Sequence, residues 1–263
     1  MKIVFLNTWN CRKNKEYLEF MRMQTQTNDI LCLQEVSSYH SEVLGKHGAM
    51  LDGWEKTKTL LPHHISYHAV RQSDWDDEPD ISDPTPWGLA LFIPHTIPIL
   101  EYREIFILGH RNSATTTLSG DNIPVVIQAC KIIDNSKALW ILNIHGYYAG
   151  AGVGKHDTEK RILQSQGIVD FIKTLSGDII LGGDFNLNPD TESIVMIEKA
   201  GLRNLITEFK IKSTRTLHYP EEKRVQWPHA DYVFVSKNVQ VKSFSVDTNS
   251  LVSDHAPMFL EIE

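Results

Sequence analysis

The chain lacks the features that would take it out of an aqueous compartment or tie it to a long polyanion. No apolar run approaches the roughly 20 residues that a membrane-spanning helix needs. One Lys and a short apolar stretch before Asn7 fall well short of a secretory signal. The cysteines number only 3, Cys11, Cys32 and Cys130, an odd and scattered set. That pattern predicts reduced thiols and a cytoplasmic location rather than a disulfide framework. No Lys/Arg run exists and the formal charge is −7. Proteins that grip a duplex through its phosphates usually present a basic surface. The balance therefore favours a small or short substrate, although a local basic cleft in an acidic whole would still admit nucleic acid. An acidic stretch from Asp74 to Asp83 reads as a solvated loop, or as a rim that repels long polyanions.

No internal repeat and no clear linker interrupt the 263 residues. The Pro-rich acidic stretch from Gln72 to Pro86 lies between strand-like segments, Ile65 to Val70 and Gly88 to Ile93. It reads as an insertion loop, so the expectation is one domain over residues 1–263. A hydrophobic content of 41% with 22% charged residues is that of an ordinary water-soluble domain. A chain of this length buries about 75% of its unfolded surface. Nothing in it calls for an oligomer, and a monomer is expected.

What the chain does have is a set of apolar runs that each end in a polar group. Asn10 follows Ile3-Val4-Phe5-Leu6, Glu35 follows Ile30-Leu31-Cys32-Leu33, and His145 follows Trp140-Ile141-Leu142. Asp184 and Asn186 follow Asp178-Ile179-Ile180-Leu181 through Gly182-Gly183. Asp231 opens Tyr232-Val233-Phe234-Val235, and Ser253-Asp254-His255 precedes Met258-Phe259-Leu260. Strand ends carrying carboxylates, amides and imidazoles predict a sheet edge that holds an oxygen- and nitrogen-rich site. Helices are expected from about Lys13 to Gln24, from about Asp157 to Leu175, and from about Asp190 to Ala200. The second carries an apolar stripe of Ile168, Phe171, Ile172 and Leu175, with Asp157 or Thr158 as its cap. Alternation from Val239 to Val246 reads as strand.

In order along the chain, Thr8-Trp9-Asn10, Leu33-Gln34-Glu35, Asn143-Ile144-His145, Gly183-Asp184-Phe185-Asn186, Asp231-Tyr232 and Ser253-Asp254-His255 resemble the motif set of the endonuclease/exonuclease/phosphatase superfamily. That superfamily includes DNase I-like nucleases, abasic-site endonucleases of the exonuclease III group, inositol phosphatases and sphingomyelinases. The resemblance spans nearly the whole chain. It implies an α+β fold, a four-layer α/β/β/α sandwich of two packed mixed sheets, and a metal-dependent hydrolase of phosphodiesters or phosphomonoesters. A phosphate-binding regulator on the same scaffold is the alternative, but such proteins usually lose a carboxylate or a His from these motifs, and none is lost here.

The local chemistry agrees. Glu35, Asp254 and the Asn10 amide are hard oxygen donors suited to Mg2+ or Mn2+. By resemblance Glu35 is the principal ligand, with Asn10 and Asp254 supporting it. Asp184 and Asn186, two apart, point to one side of a strand end. Asp184 is then placed to orient or deprotonate the attacking water, and Asn186 to hold that water or a phosphate oxygen. Asp231 fixes the tautomer of His255 and favours its charged form, which predicts titration above about 6.5. His145 is expected opposite, donating to a phosphoryl oxygen or to the leaving group. Arg111, before a Thr-rich segment, resembles a substrate-binding position that reaches the phosphate. Some abasic-site nucleases carry an acid two residues beyond the Asn of the first motif. Here that position is Arg12, which removes that second metal ligand.

Two other patterns compete for attention. Gly150 to His156 resembles a phosphate-binding P-loop but has Ala149 where the pattern needs Gly and His156 where it needs Ser or Thr. It reads instead as a Gly-rich lid with Lys155 available to an anion. His63, His64 and His68 are split by strand-like residues and make a poor metal site. Trp75, Trp87, Tyr147, Tyr148 and Trp227 are candidate rim aromatics for stacking on bases or sugars.

Overall fold

The computed structural model describes residues 1–27, 30–73, 85–113, 123–150 and 152–263. The acidic stretch from Asp74 to Asp83, Trp75 and the Thr-rich segment after Arg111 lie outside the described residues.

Two mixed sheets carry the fold. The first holds β1 (Lys2–Asn7), β2 (Ile30–Ser37), β3 (His64–Gln72), β4 (Trp87–Pro94), β11 (Val241–Val246) and β12 (Met258–Ile262), in the order β11-β12-β1-β2-β4-β3. The second holds β5 (Ile99–Leu108), β6 (Val125–Asp134), β7 (Lys137–His145), β8 (Asp178–Asp184), β9 (Leu202–Asn204) and β10 (Asp231–Ser236), in the order β5-β6-β7-β8-β10-β9. Each sheet contains one parallel pair near its centre, β1 with β2 and β7 with β8.

Period-2 patterning assigns the faces. Ile3 and Phe5 of β1, with Ile30 and Cys32 of β2, turn inward and share one core with the second sheet. Val4, Leu6, Leu31 and Leu33 turn outward and pack on Tyr17, Phe20 and Met21 of α1 (Asn14–Gln24) and Trp54 of α2 (Gly53–Leu60). On the far side, α3 (Glu159–Lys173) and α4 (Glu192–Lys199) contribute Ile168, Phe171, Ile172, Ile194 and Ile197 to the shared core. The result is the four-layer sandwich expected from the motifs. Short helices α5 (Leu205–Glu208) and α6 (Glu221–Gln226) complete it. They and α2 were not legible, because each is too short to show a full apolar stripe.

Thr158 caps α3, its side chain accepting from the Arg161 amide. Asp157 instead caps the neighbouring helix, accepting from the amides of Glu192 at 2.7 Å and Ser193 at 3.2 Å. Leu175 falls beyond the helix end yet still packs against the core. Where the sheets meet beneath the site, the interior turns polar. Gln34 Nε2 donates to Asn143 Oδ1 at 2.7 Å, and Asn143 Nδ2 donates to the Leu33 carbonyl and to Gln128 Oε1. These buried amides partner one another across the sandwich, and only Gln34 Oε1 among their side-chain atoms accepts no hydrogen bond from the described residues. Two glycines permit the close approach. A Cβ on Gly182 would lie 2.6 Å from the Phe5 ring of the facing sheet, and Gly183 holds φ at +135°.

Candidate active site

The C-terminal ends of both parallel pairs open at the same edge of the sandwich. His145, Asp184 and Asp231 lie in one row across β7, β8 and β10, each the register partner of the next. β1 delivers Asn7 from the other sheet. Glu35 is turned out of β2 by a register shift between Gln34 and Val36, with φ at +56°. A bulge with left-handed backbone is a common means of re-aiming a side chain beside a site. The cavity between them measures about 350 Å3. That is the scale of a small-ligand pocket.

Asn7 joins the sheets at its floor. Its Nδ2 donates to Glu35 Oε1 and to Asp184 Oδ2, both at 3.0 Å. Asp184 Oδ1 accepts from the Asn186 backbone amide at 2.8 Å. His145 Nε2 stands 3.7 Å from Glu35 Oε1 and 3.7 Å from Asp184 Oδ2. His255 Nδ1 meets Asp231 Oδ1 and Oδ2 at 2.8 and 3.0 Å, and its Nε2 lies 2.5 Å from Arg215 Nη1. Asp254 also lines the cavity, 3.9 Å from Arg215 Nη1.

Seven expected residues therefore converge: Glu35, His145, Asp184, Asn186, Asp231, Asp254 and His255. Two do not. Asn10 is replaced by Asn7, because β1 ends at Asn7 and the chain then turns through left-handed Trp9, Asn10 and Cys11. That turn aims the buried Asn10 amide at Ser37, whose Oγ donates to it at 3.2 Å. Counted from Asn7, the position two residues on is Trp9, again not an acid. Arg111 is also displaced. It is exposed on a turn, paired with Glu104 Oε2 at 3.0 Å, and does not line the cavity. The arginine that reaches the cavity from that side is Arg71, near the end of β3, whose carbonyl accepts from the Asn112 amide at 3.0 Å.

Arg71, Lys155 and Arg215 are the cavity's buried cations. Arg71 donates to the Pro124 carbonyl and lies over the Trp87 ring. Arg215 lies over the Tyr219 ring, 4.1 Å from its centre. The only sequence signal for Arg71 was a charge inside a strand pattern, and Arg215 sits between two Thr in a stretch without periodicity. Of the rim aromatics, Trp87 and Tyr148 line the cavity, joined by Trp9 and Tyr219. Of the three clustered histidines, His68 is engaged in packing: it stacks on Trp54 and its Nε2 meets the Val36 carbonyl at 3.0 Å.

Burial and the surrounding cations set the electrostatics. Burial lowers the His255 pKa to about 4, reinforced by Arg215, against the pull of Asp254 and Asp184. The direction is opposite to the raised His255 expected, because full burial of the ring, and then the arginine beside Nε2, arise only in the folded arrangement. His145 is also lowered well below the ordinary value, by burial first and then by Arg71, His255 and Lys155. Burial raises Glu35 to about 7, aided by Asp254 and Asp184 and opposed by the Asn7 hydrogen bond.

Hydrogen bonding discriminates between two candidate metal sites. Ligand atoms of Asp184, Asp231 and His255 lie within 4.8 Å of one another. Both ring nitrogens of His255 are already engaged, one by Asp231 and one by Arg215, which leaves no lone pair to donate. Glu35 is different: its carboxylate lines the cavity together with that of Asp254, while Asn7 turns its NH2 towards Glu35 and its Oδ1 to the Trp9 amide, and so supports the carboxylate rather than adding an oxygen. That hard donor set fits a magnesium-type ion.

The sequence profile of the Endonuclease/Exonuclease/phosphatase family matches residues 8–255. No curated protein matches the chain. Among solved structures, a mannosyl-6-phosphatase from Bacteroides thetaiotaomicron VPI-5482 superposes with a TM-score of 0.72 at 15% identity, covering 100% of this chain and 99% of that one. An endonuclease/exonuclease/phosphatase family protein from Leptotrichia buccalis gives 0.71 at 17% identity, over 100% and 99%. The human Nocturnin catalytic domain with a bound sulfate anion gives 0.65 at 16% identity, over 100% and 93%. At these identities the likenesses establish the fold, and the profile, spanning all but the chain's ends, establishes membership: the chain belongs to the endonuclease/exonuclease/phosphatase family.

Proposed function

We propose that the chain is a divalent-metal-dependent phosphoesterase acting on a small phosphate ester. The observation that carries this reading is the pairing, in one cavity of about 350 Å3, of a carboxylate cluster with buried cations. Carboxylates alone would repel an anion, and cations alone would bind one without hydrolysing it. Phosphoryl transfer needs an aligned water and stabilised charge on the phosphoryl oxygens.

Glu35 and Asp254 would hold the ion, with Asn7 orienting the Glu35 carboxylate, and the ion would supply Lewis-acid stabilisation of phosphoryl charge when bound. Asp184 orients the attacking water and accepts its proton, and Asn186 positions that water or a phosphate oxygen. His255, kept neutral with its Nδ1–H on Asp231, sets the orientation of Arg215, which donates to the phosphate. His145 donates from the opposite wall. The likeness to a mannosyl-6-phosphatase agrees with a small ester.

The test is hydrolysis of p-nitrophenyl phosphate and bis(p-nitrophenyl) phosphate with magnesium or manganese against a chelator control. Metal-dependent turnover of either supports the reading, and no turnover of both overturns it. Duplex DNA binding should fall shallowly with salt, as for about three phosphate contacts or fewer, at a slope near −0.9 per contact. A steep slope makes a nuclease the better assignment.

A further inference from the structure

Lys155 comes from the Gly-rich stretch that imitates a P-loop, yet it does not wave over the site as a mobile lid residue would. It is only 5% exposed. Its carbonyl accepts from the Asn188 amide at 2.8 Å, which ties the loop to the segment after β8. Gly154, at φ +69°, lies so close to the Trp227 ring that a Cβ there would sit 2.5 Å from it. The loop is thus clamped from both sides, and the lysine stem is driven inward.

At the end of that stem Nζ donates to Asn186 Oδ1. An ammonium has three donors. Among the described residues no carboxylate stands within ion-pair distance of it, although Asp184 and Asp231 act on it from farther away. Burial without a close counter-charge lowers its pKa to about 7, with Arg215 and Arg161 adding to the effect. A buried cation left this way destabilises the fold. It is retained beside the Asn186 amide, which also lines the cavity. Five cationic side chains line that cavity against three carboxylates, in a chain whose total charge is −7. The local excess is complementary to an anion with more than one negative charge.

We infer that Lys155 is a catalytic residue, whose ammonium donates to a non-bridging phosphoryl oxygen beside Asn186, and that the site thereby favours dianionic phosphomonoesters over diesters. No bond to Lys155 forms or breaks; it acts by a hydrogen bond that strengthens as charge builds on the oxygen. The inference rests on the phosphoesterase reading above and adds its own anion contact.

The test compares wild type with Lys155→Gln, Lys155→Met and Lys155→Arg. Loss of one preorganised donor typically lowers kcat by roughly 10²–10³. The Gln and Met variants should lose at least about a hundredfold in kcat on p-nitrophenyl phosphate, with a smaller change in KM and a smaller loss on the bis ester. Their melting temperatures should match or exceed that of wild type, since an uncompensated charge is removed. The Arg variant should recover part of the rate. Inorganic phosphate binding to metal-free protein, measured by calorimetry, should weaken about tenfold in the Gln and Met variants. This arm holds even if wild type hydrolyses neither ester, so the failure of the phosphoesterase reading is distinguishable from failure of the anion contact. If the amide variant loses its cooperative melt, the Met variant carries the comparison. Turnover within threefold of wild type, equal losses on both esters, or unchanged phosphate binding would each overturn the inference.

Discussion

Arg215 Nη1 lies 2.5 Å from Nε2 of His255, on the opposite side of the ring from Asp231. The imidazole is therefore caught between a cation that needs its lone pair and a carboxylate that needs its proton. Only the neutral ring, protonated at Nδ1, satisfies both.

Arg215→Met should raise the His255 pKa from about 4 towards the ordinary value, because the second cause of its depression is removed. Ring-proton NMR titration reads this directly, and the acidic limb of the rate profile should move to higher pH with it. The sign for stability follows. Wild-type His255 binds its proton more weakly folded than unfolded, so its contribution is complete above about 6.5 and declines as pH falls towards 4. Arg215→Met should narrow that window, and an unmoved titration would show that Arg215 does not control the ring.

Glu35 behaves in the opposite sense. Its folded pKa is raised to about 7, so the unbound protein is penalised progressively as pH rises from about 4.5 to 7. In chelator, Glu35→Gln should melt higher than wild type at pH 8 and the difference should vanish near pH 4.5. Magnesium should raise the wild-type melt at pH 8, leave the variant's melt unchanged, and restore no turnover to it. A variant that still responds to magnesium at full rate would place the ion elsewhere.

Asn7 and Asn10 separate chemistry from support. Asn7→Ala should lower kcat by about two orders of magnitude by releasing Glu35 and Asp184 from a common donor, with little change in KM. Asn10→Ala removes the acceptor for Ser37 and should lower stability by about 1 kcal/mol while turnover stays within a few-fold. Steady-state kinetics with thermal melts on both variants decide it, and an inactive but stable Asn10→Ala would return that residue to the site.

The sandwich and most of the site were legible because strand ends carry both structure and chemistry. Apolar runs that stop at Glu35, His145 and Asp184 place these residues at a common edge once the strands pair. Asn10 was misread for a local reason: two Asn stand three apart, and the left-handed turn that turns the second one away from the cavity leaves no composition signal. The cations were harder still. Arg71 and Arg215 enter from β3 and from an irregular segment far from any motif, so only the folded arrangement brings them to the cavity. Lys155 was visible as a lid lysine, but the burial that defines it depends on Trp227 and Asn188.

The amide contacts of Gln34, Gln128 and Asn143 acquire another meaning at this point. Greasy surfaces slide over one another with little resistance, whereas these amides hydrogen-bond to one another in a single alignment. Glu35 rides on one sheet, one residue from Gln34, and His145 on the other, two residues from Asn143. The spacing between the two halves of the carboxylate and imidazole cluster is thus gauged by a vernier built into the interior, and a change such as Gln128→Leu would detune the cavity from beneath without touching any group that faces it.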